Sequence, residues 1–268
     1  MGGGASALYT GGGVVGPRLR RALAAEGLSL LGGWATPSIG SGSPWWSLVG
    51  TAETGVIPDP EASPAALAAV LRGKQIHRSK VALEDLVRPD TTLADKVRKI
   101  LSGRAMHDSD SMSSKGSIDD LVQQRRAQVS WLLRWVDVVA SNAAPTPTAV
   151  AHCAVALRDK AVRDCVLALA DTSKASAAQQ LWAYLSRVLP DPDRAQAAAL
   201  LAYHAYTTAN GPLTRLALDA ALRSDPEHAF TQLLDTALQI GMHPDEVGES
   251  IAEGACRVAA ELGFDFES

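Results

Sequence analysis

The sequence is short of the features that announce a chemistry. Its 268 residues include three cysteines, Cys153, Cys165 and Cys256, too few and too far apart for a disulfide framework, and an odd count leaves one thiol unpaired in a monomer. A reducing cytoplasm is the expected location. A basic excess is missing: 25 Lys and Arg stand against 29 Asp and Glu, a formal net charge of -4. No global positive field gathers a polyanion, and nucleic acid is not an expected partner. Long apolar runs are missing too. Gly, Ser, Pro and Asn interrupt the uncharged stretches 28–52 and 138–157 well short of the ~20 apolar residues of a membrane span. The first seventeen residues lack the basic start of a signal peptide. Neither G-x-S-x-G, S-x-x-K nor H-E-x-x-H occurs, which leaves nucleophilic and zinc-protease chemistry without a starting residue.

Aromatic residues are also few, 5% of the chain, yet six of them are Trp. What is abundant is alanine, which dominates every long periodic stretch. Small side chains of high helix propensity imply a core made by close helix-to-helix approach. The expected fold is mainly α, built of antiparallel helical hairpins, with a small and incomplete-looking α/β portion at the N-terminus.

Along the chain, PRLRRALAAE (17–26) has Pro in its first turn and Gly27 past its end, the asymmetry of a short helix. LSLLGGW (28–34) and WWSLVG (45–50) read as strands around the turn-rich TPSIGSGSP. A β-α-β fragment of two or three short strands would leave sheet edges unpaired. Helices are then expected from Ser63 to Gly73, from Ser79 to before Pro89, and from Thr91 or Thr92 to Gly103. The polar tract HDSDSMSSKGS reads as a linker. Beyond it Ile118, Leu121, Val122, Val129, Leu132, Leu133, Val136 and Val139 keep a 3.6-residue spacing behind Ser117 as N-cap. Helices over 148–158, 160–170, 174–189, 193–207, 212–223, 227–240 and 244–262 follow, with connections short enough to make neighbours antiparallel. The expected organisation is a small α/β or loop-rich portion (1–60), short helices (61–106), a flexible linker (107–117) and a helical-hairpin domain (118–268).

Trp182, Leu185, Ser186 and Leu189, followed by Ala198 and Ala205, partly match a tetratricopeptide repeat, and so do Ala202, Ala221 and Pro226 in a second register. Neither register yields an array. The C-terminal half is therefore tetratricopeptide-like in its grammar of small residues and of helix stops at Asn210-Gly211-Pro212 and Ser224-Asp225-Pro226.

AVRDCVLALAD (161–171), LWAYLSRVLPDP (181–192) and ALLAYHAYTTANGPLTRLALDAALRSDPEHAFTQLLDTALQIGMHP (199–244) closely resemble the C-terminal part of an actinobacterial family, domain of unknown function 4192. PWWSLVG, GVIPDPEASPAALAAVLRGK and SKVALEDLVRPD resemble its middle. The resemblance implies a further α/β segment ahead of the portion seen here, so the chain reads as lacking it. It implies no activity and no catalytic residues. Many members carry Cys near the WWS-like stretch, where this chain reads WWSLVGTAETG, so no metal or redox role carries over.

Each candidate for chemistry has a plainer reading beside it. GGGVVG (11–16) satisfies G-x-G-x-x-G, but Pro17 removes an N–H at the helix start and no acidic residue follows to hold a ribose; a flexible Gly-rich end outweighs a nucleotide site. Asp108, Asp110 and Asp119 lack the ligands of a calcium loop, and His152, Cys153 and Cys165 do not match a zinc spacing. His204, His228 and His243, with Asp225 and Asp245, fall at hairpin ends, where capping is the commoner role. Arg163 and Asp164 read as an inter-helix ion pair. Arg125, Arg126 and Arg134 beside Trp131 and Trp135 read as a solvated face.

No cofactor or metal is expected. The function expected is a cytoplasmic interaction module for a protein or peptide, with Trp182, Tyr184, Tyr203 and Tyr206 as anchors, since aromatic side chains carry interface energy well. The alternative is an enzyme or nucleotide-binding protein whose site needs a preceding α/β segment together with Trp45, Trp46 and Ser47.

Overall fold

The computed structural model of the chain describes residues 12–49, 51–59, 80–109 and 117–266. It is mainly helical, with a small three-stranded antiparallel sheet, and it falls into two compact units, Met1–Ile76 and His77–Ser268.

In the first unit, α1 (Gly12–Ala25) precedes β1 (Gly33–Ala35), β2 (Pro44–Val49) and β3 (Thr54–Val56). The sheet is a meander in the order β1-β2-β3, both pairs antiparallel. The β-α-β arrangement expected from the sequence is corrected: the links 36–43 and 50–53 are far shorter than the dozen or more residues that a parallel crossover needs. Serines hold the two turns. Ser38 Oγ and Ser43 Oγ lie 2.8 Å apart, and Ser47 Oγ donates to the Thr51 carbonyl at 2.6 Å while accepting from the Glu53 N–H at 3.0 Å. α1 begins at Gly12, five residues before Pro17, so Gly12–Gly16 form its first turns and not a loop ahead of it. Over residues 18–49 and 51–59 of this unit none is fully buried.

The second unit contains the core. Its helices are α2 (Lys80–Asp85), α3 (Thr91–Ser109), α4 (Ile118–Ala140), α5 (Pro147–Arg158), α6 (Lys160–Leu167), α7 (Ala175–Val188), α8 (Asp193–Thr207), α9 (Gly211–Ser224), α10 (Ala229–Gln239) and α11 (Pro244–Glu261), with a 3₁₀ turn over Ala168–Asp171. The expected starts are physical ones: Ser117 and Asp120 make a capping box on α4, Asp90 Oδ1 accepts from the Leu93 N–H at 3.0 Å, and Asn210 and His228 cap α9 and α10. Two expectations shift or pass out of view. α3 passes Gly103 and continues to Ser109, and the helix expected over 63–73 lies outside the described residues. Val87 and Val97, from the stretch expected as separate short helices, belong to the same core as α4–α11.

α8 is the centre of that core. Of its fifteen residues only Gln196 and Thr207 escape full burial. Helices α5, α6, α7, α9, α10 and α11 all pack against it. A helix apolar all round is a buried helix, and a centre ringed by neighbours differs from a stacked array, in which each hairpin touches only those beside it. The packing does not confirm a tetratricopeptide-like repeat.

Arg194, at the start of α8, is itself buried and pairs with no carboxylate among the described residues. Its Nε donates to the Ser186 carbonyl and its Nη2 to the Val87 carbonyl, each at 2.7 Å, while the Asp90 N–H donates to the Arg187 carbonyl at 2.7 Å. One guanidinium thus ties the end of α7 to the turn after α2, and burial pulls its pKa down. Arg194→Met keeps the bulk and leaves two buried carbonyls unsatisfied. It is expected to cost about 3 kcal/mol in a denaturant titration, and Arg194→Lys, unable to fork, to recover under half of that.

Candidate functional site

Three of the four expected anchors lie inside the core of the second unit. Trp182 and Tyr203 are 0% and 2% exposed and Tyr206 is also buried, whereas Tyr184 is half-buried. The polar ends of Trp182, Tyr184 and Tyr206 are spent on the protein itself. Trp182 Nε1–H donates to His204 Nε2 at 3.1 Å, the Tyr184 hydroxyl to the Pro145 carbonyl at 3.2 Å, and the Tyr206 hydroxyl to the Met242 carbonyl at 2.9 Å. An anchor must be offered to solvent before a partner can bury it. These side chains instead pin helices to one another, and Trp182, Tyr203 and Tyr206 are withdrawn as anchors.

The other sequence candidates also resolve into packing. His204 is buried, with its pKa pushed down to about 3 by desolvation against a hydrogen bond to the Ala175 backbone. His228 Nδ1 accepts from the Thr231 N–H at 3.3 Å, which caps α10; burial and the nearby Arg163 pull its pKa down, against Asp225. His243 caps α11 with Glu246 in a capping box. Arg163 pairs with its neighbour Asp164 rather than across helices, and its guanidinium lies 5.3 Å from the Phe230 ring centroid, so the inter-helix contact is a cation–π one. Arg125 reaches Asp159 at 2.8 Å, Arg134 stacks on Trp131, and Trp131 meets His152 edge-on. Cys153 and Cys165 are buried, and burial raises both thiols to about 12; a thiol held neutral is inert. Among the described residues no three His, Cys, Asp or Glu side chains gather as a metal site. Asp110 and Gly11 lie outside the described residues.

The sheet of the first unit carries exposed apolar side chains close together. Register places Trp34 opposite Ser47, and Trp45 opposite Gly55. Because Ser47 and Trp45 are two apart on β2, Trp34, Trp45 and Gly55 share one face. Gly55 makes that face possible: a Cβ there would lie 2.7 Å from Trp45 Nε1, so only glycine lets the indole lie across β3. A cleft of about 360 Å³ results, lined by Trp34, Ala35, Thr36, Trp45 and Ile57. Trp34 is 63% exposed, and Leu31, Ile39 and Val56 around the sheet are exposed as well. No lining residue ionises, and the Thr36 hydroxyl is committed to the Ser38 carbonyl at 2.7 Å. The cleft can hold an apolar group beside two indoles. Among the described residues that line it, none is an acid or a base.

The chain matches the family model described as a domain of unknown function, DUF4192, over residues 14–245. It belongs to that family. No curated protein and no solved structure matches it. The family's description names no activity. The matched span takes in the Trp34–Trp45 cleft and the helical core down to the start of α11.

Two outcomes are expected. His204 is neutral when folded, with a pKa near 3 against 6.5 unfolded, so the unfolded chain binds the extra proton between those values. Stability is then complete above about pH 6.5 and falls as pH drops toward 3, by roughly 1.4 kcal/mol per pH unit at the steepest. His228, shifted the same way, adds to the slope. Urea titrations from neutral to acid pH measure it, and His204→Gln should flatten it. Separately, Gly55→Ala should push Trp45 off β3 and change the near-ultraviolet circular dichroism, leaving the far-ultraviolet helix signal as it was.

Proposed function

We propose that the protein is an interaction module that binds an extended, apolar peptide segment of a partner protein through the Trp34–Trp45 cleft, and that it works in the cytoplasm. The observation that supports this reading is a cleft lined by two tryptophans on a sheet with no fully buried residue, where the Trp34 indole, lying over Gly32, stays 63% exposed. Exposed apolar patches of this kind mark interaction sites, and Trp is the residue most often found at interface hot spots. The sheet adds a second means of recognition. β1 and β3 are its edges, and an edge strand presents unpaired N–H and C=O groups to an incoming strand. A peptide adding there sets alternate side chains toward the cleft. Three thiols free of disulfides, two of them buried, support a reducing compartment. No helix among the described residues is long and apolar enough to cross a membrane.

The experiment is a selection of random peptides displayed on phage against the full chain, followed by calorimetry. Enrichment of sequences with alternating aromatic or branched apolar residues is expected, with Kd in roughly the micromolar range. Trp34→Ser should weaken binding at least about tenfold, or 1.4 kcal/mol, and Tyr184→Phe should leave it unchanged. Selected peptides that bind Trp34→Ser as tightly as the wild type, or the absence of any enriched sequence, would refute the reading.

A further inference from the structure

The arginines of α1 are unlike those of the second unit. There Arg88, Arg98, Arg125, Arg158, Arg163 and Arg215 each meet an aspartate, and Arg194 meets two carbonyls. On α1, Arg18, Arg20 and Arg21 are all exposed, and none has a carboxylate partner among the described residues. Arg18 and Arg21, three apart, share one side of the helix. It lies roughly opposite Leu23, the one residue from Arg18 to Ala25 that is not exposed. Apolar side chains lie open beside them. Leu19 is exposed, and past Gly27 the chain turns back so that the Leu28 N–H donates to the Leu23 carbonyl at 2.9 Å. Leu28 and Leu31 are then 58% and 96% exposed. Only one acid, Glu26, occurs between Arg18 and Leu31.

We infer that the segment Arg18–Leu31 docks the protein on a membrane surface rich in anionic lipid. Charge selects that occupant. Three guanidiniums without carboxylates attract a negative surface, while residues 77–268, with 25 Asp and Glu against 20 Lys and Arg, are repelled by it. The first unit is left to meet it. The exposed leucines then separate lipid from other polyanions. An anionic headgroup layer pairs with the arginines and lies over an apolar interior that Leu28 and Leu31 enter. A nucleic acid would meet the arginines but holds to a protein by stacking its bases on aromatic rings, which gives the leucines no role. An acidic protein would need a pocket shaped for Leu31, whereas lipid needs no matching shape. At fourteen residues, α1 lies on the membrane and is too short to span it. The segment includes no residue that lines the Trp34–Trp45 cleft and stands independently of the peptide-binding reading.

Co-sedimentation of the full chain with vesicles is the test, using phosphatidylcholine alone and phosphatidylcholine with about one third phosphatidylserine. The chain should bind only the phosphatidylserine vesicles, and should leave them at about 0.5 M salt, where surface charges are screened. Each arginine near such a surface strengthens partitioning roughly fivefold, so R18Q/R20Q/R21Q should bind at least about thirtyfold more weakly. L28S/L31S should lose at least about tenfold. Both variants should keep the wild-type circular dichroism and melting temperature, because the changed side chains are exposed. R257Q, at an exposed arginine of α11, should bind like the wild type. A single-stranded oligonucleotide and polyglutamate, followed by fluorescence anisotropy, should bind far more weakly than the vesicles. No binding to phosphatidylserine vesicles or equal binding to neutral ones would overturn the proposal. So would wild-type binding by either multiple variant, a loss in R257Q as large as theirs, or a preference for the oligonucleotide or polyglutamate.

Discussion

The constraint from which the rest of the structure follows is the burial of α8 on every side. A helix ringed by six others has no face for long side chains, because each neighbour must approach its backbone closely, and Ala195, Ala197, Ala198, Ala199, Ala202 and Ala205 provide that approach. The larger residues, Leu200, Leu201, Tyr203 and Tyr206, fill the gaps between neighbours. The chain's alanine content is thus a packing requirement. It also explains why so few aromatic residues suffice for a core of this size.

Close apolar packing has no direction of its own, and polar contacts supply it. Arg194 fixes the end of α7 to the turn after α2, Trp182 and His204 join α7 to α8, and Arg158 holds Asp193 at the start of α8 through two bonds of 2.7 Å. Each joins segments apart in the chain, with at least one partner buried. Such contacts cost little when made and much when half broken, so they favour one arrangement among the many in which alanine-rich helices would pack. Trp182, Tyr206, His204 and Arg194 are occupied in this way, and the candidate site lies on the sheet.

The helices were legible in the sequence because their signals are local. Ser117, Asn210 and the Pro residues at first turns mark starts, and the 3.6-residue period marks faces; the spans over 193–207 and 118–140 follow directly. The sheet was less so. PWWSLV is apolar on both faces of its strand, so periodicity could not show which face is open, and the meander depends on turn chemistry at Ser38, Ser43 and Ser47. The anchors were misjudged for a related reason. Tyr203 and Tyr206 read equally well as interface or core residues on a helix that is apolar all round, and only the position of α8 inside its ring decides. The cleft had one sequence signal, Gly55 set where it pairs with Trp45, and that depends on a register that sequence alone does not fix.

The uneven distribution of buried residues bears on how such a protein changes over time. In the helical body almost every substitution on α8 is felt by several helices at once, so that sequence is held in place by its own fit. The sheet, whose described residues all touch solvent, is under no comparable demand. Its loops and exposed side chains are free to drift, and lineages that share one helical frame can acquire different recognition without having to fold anew.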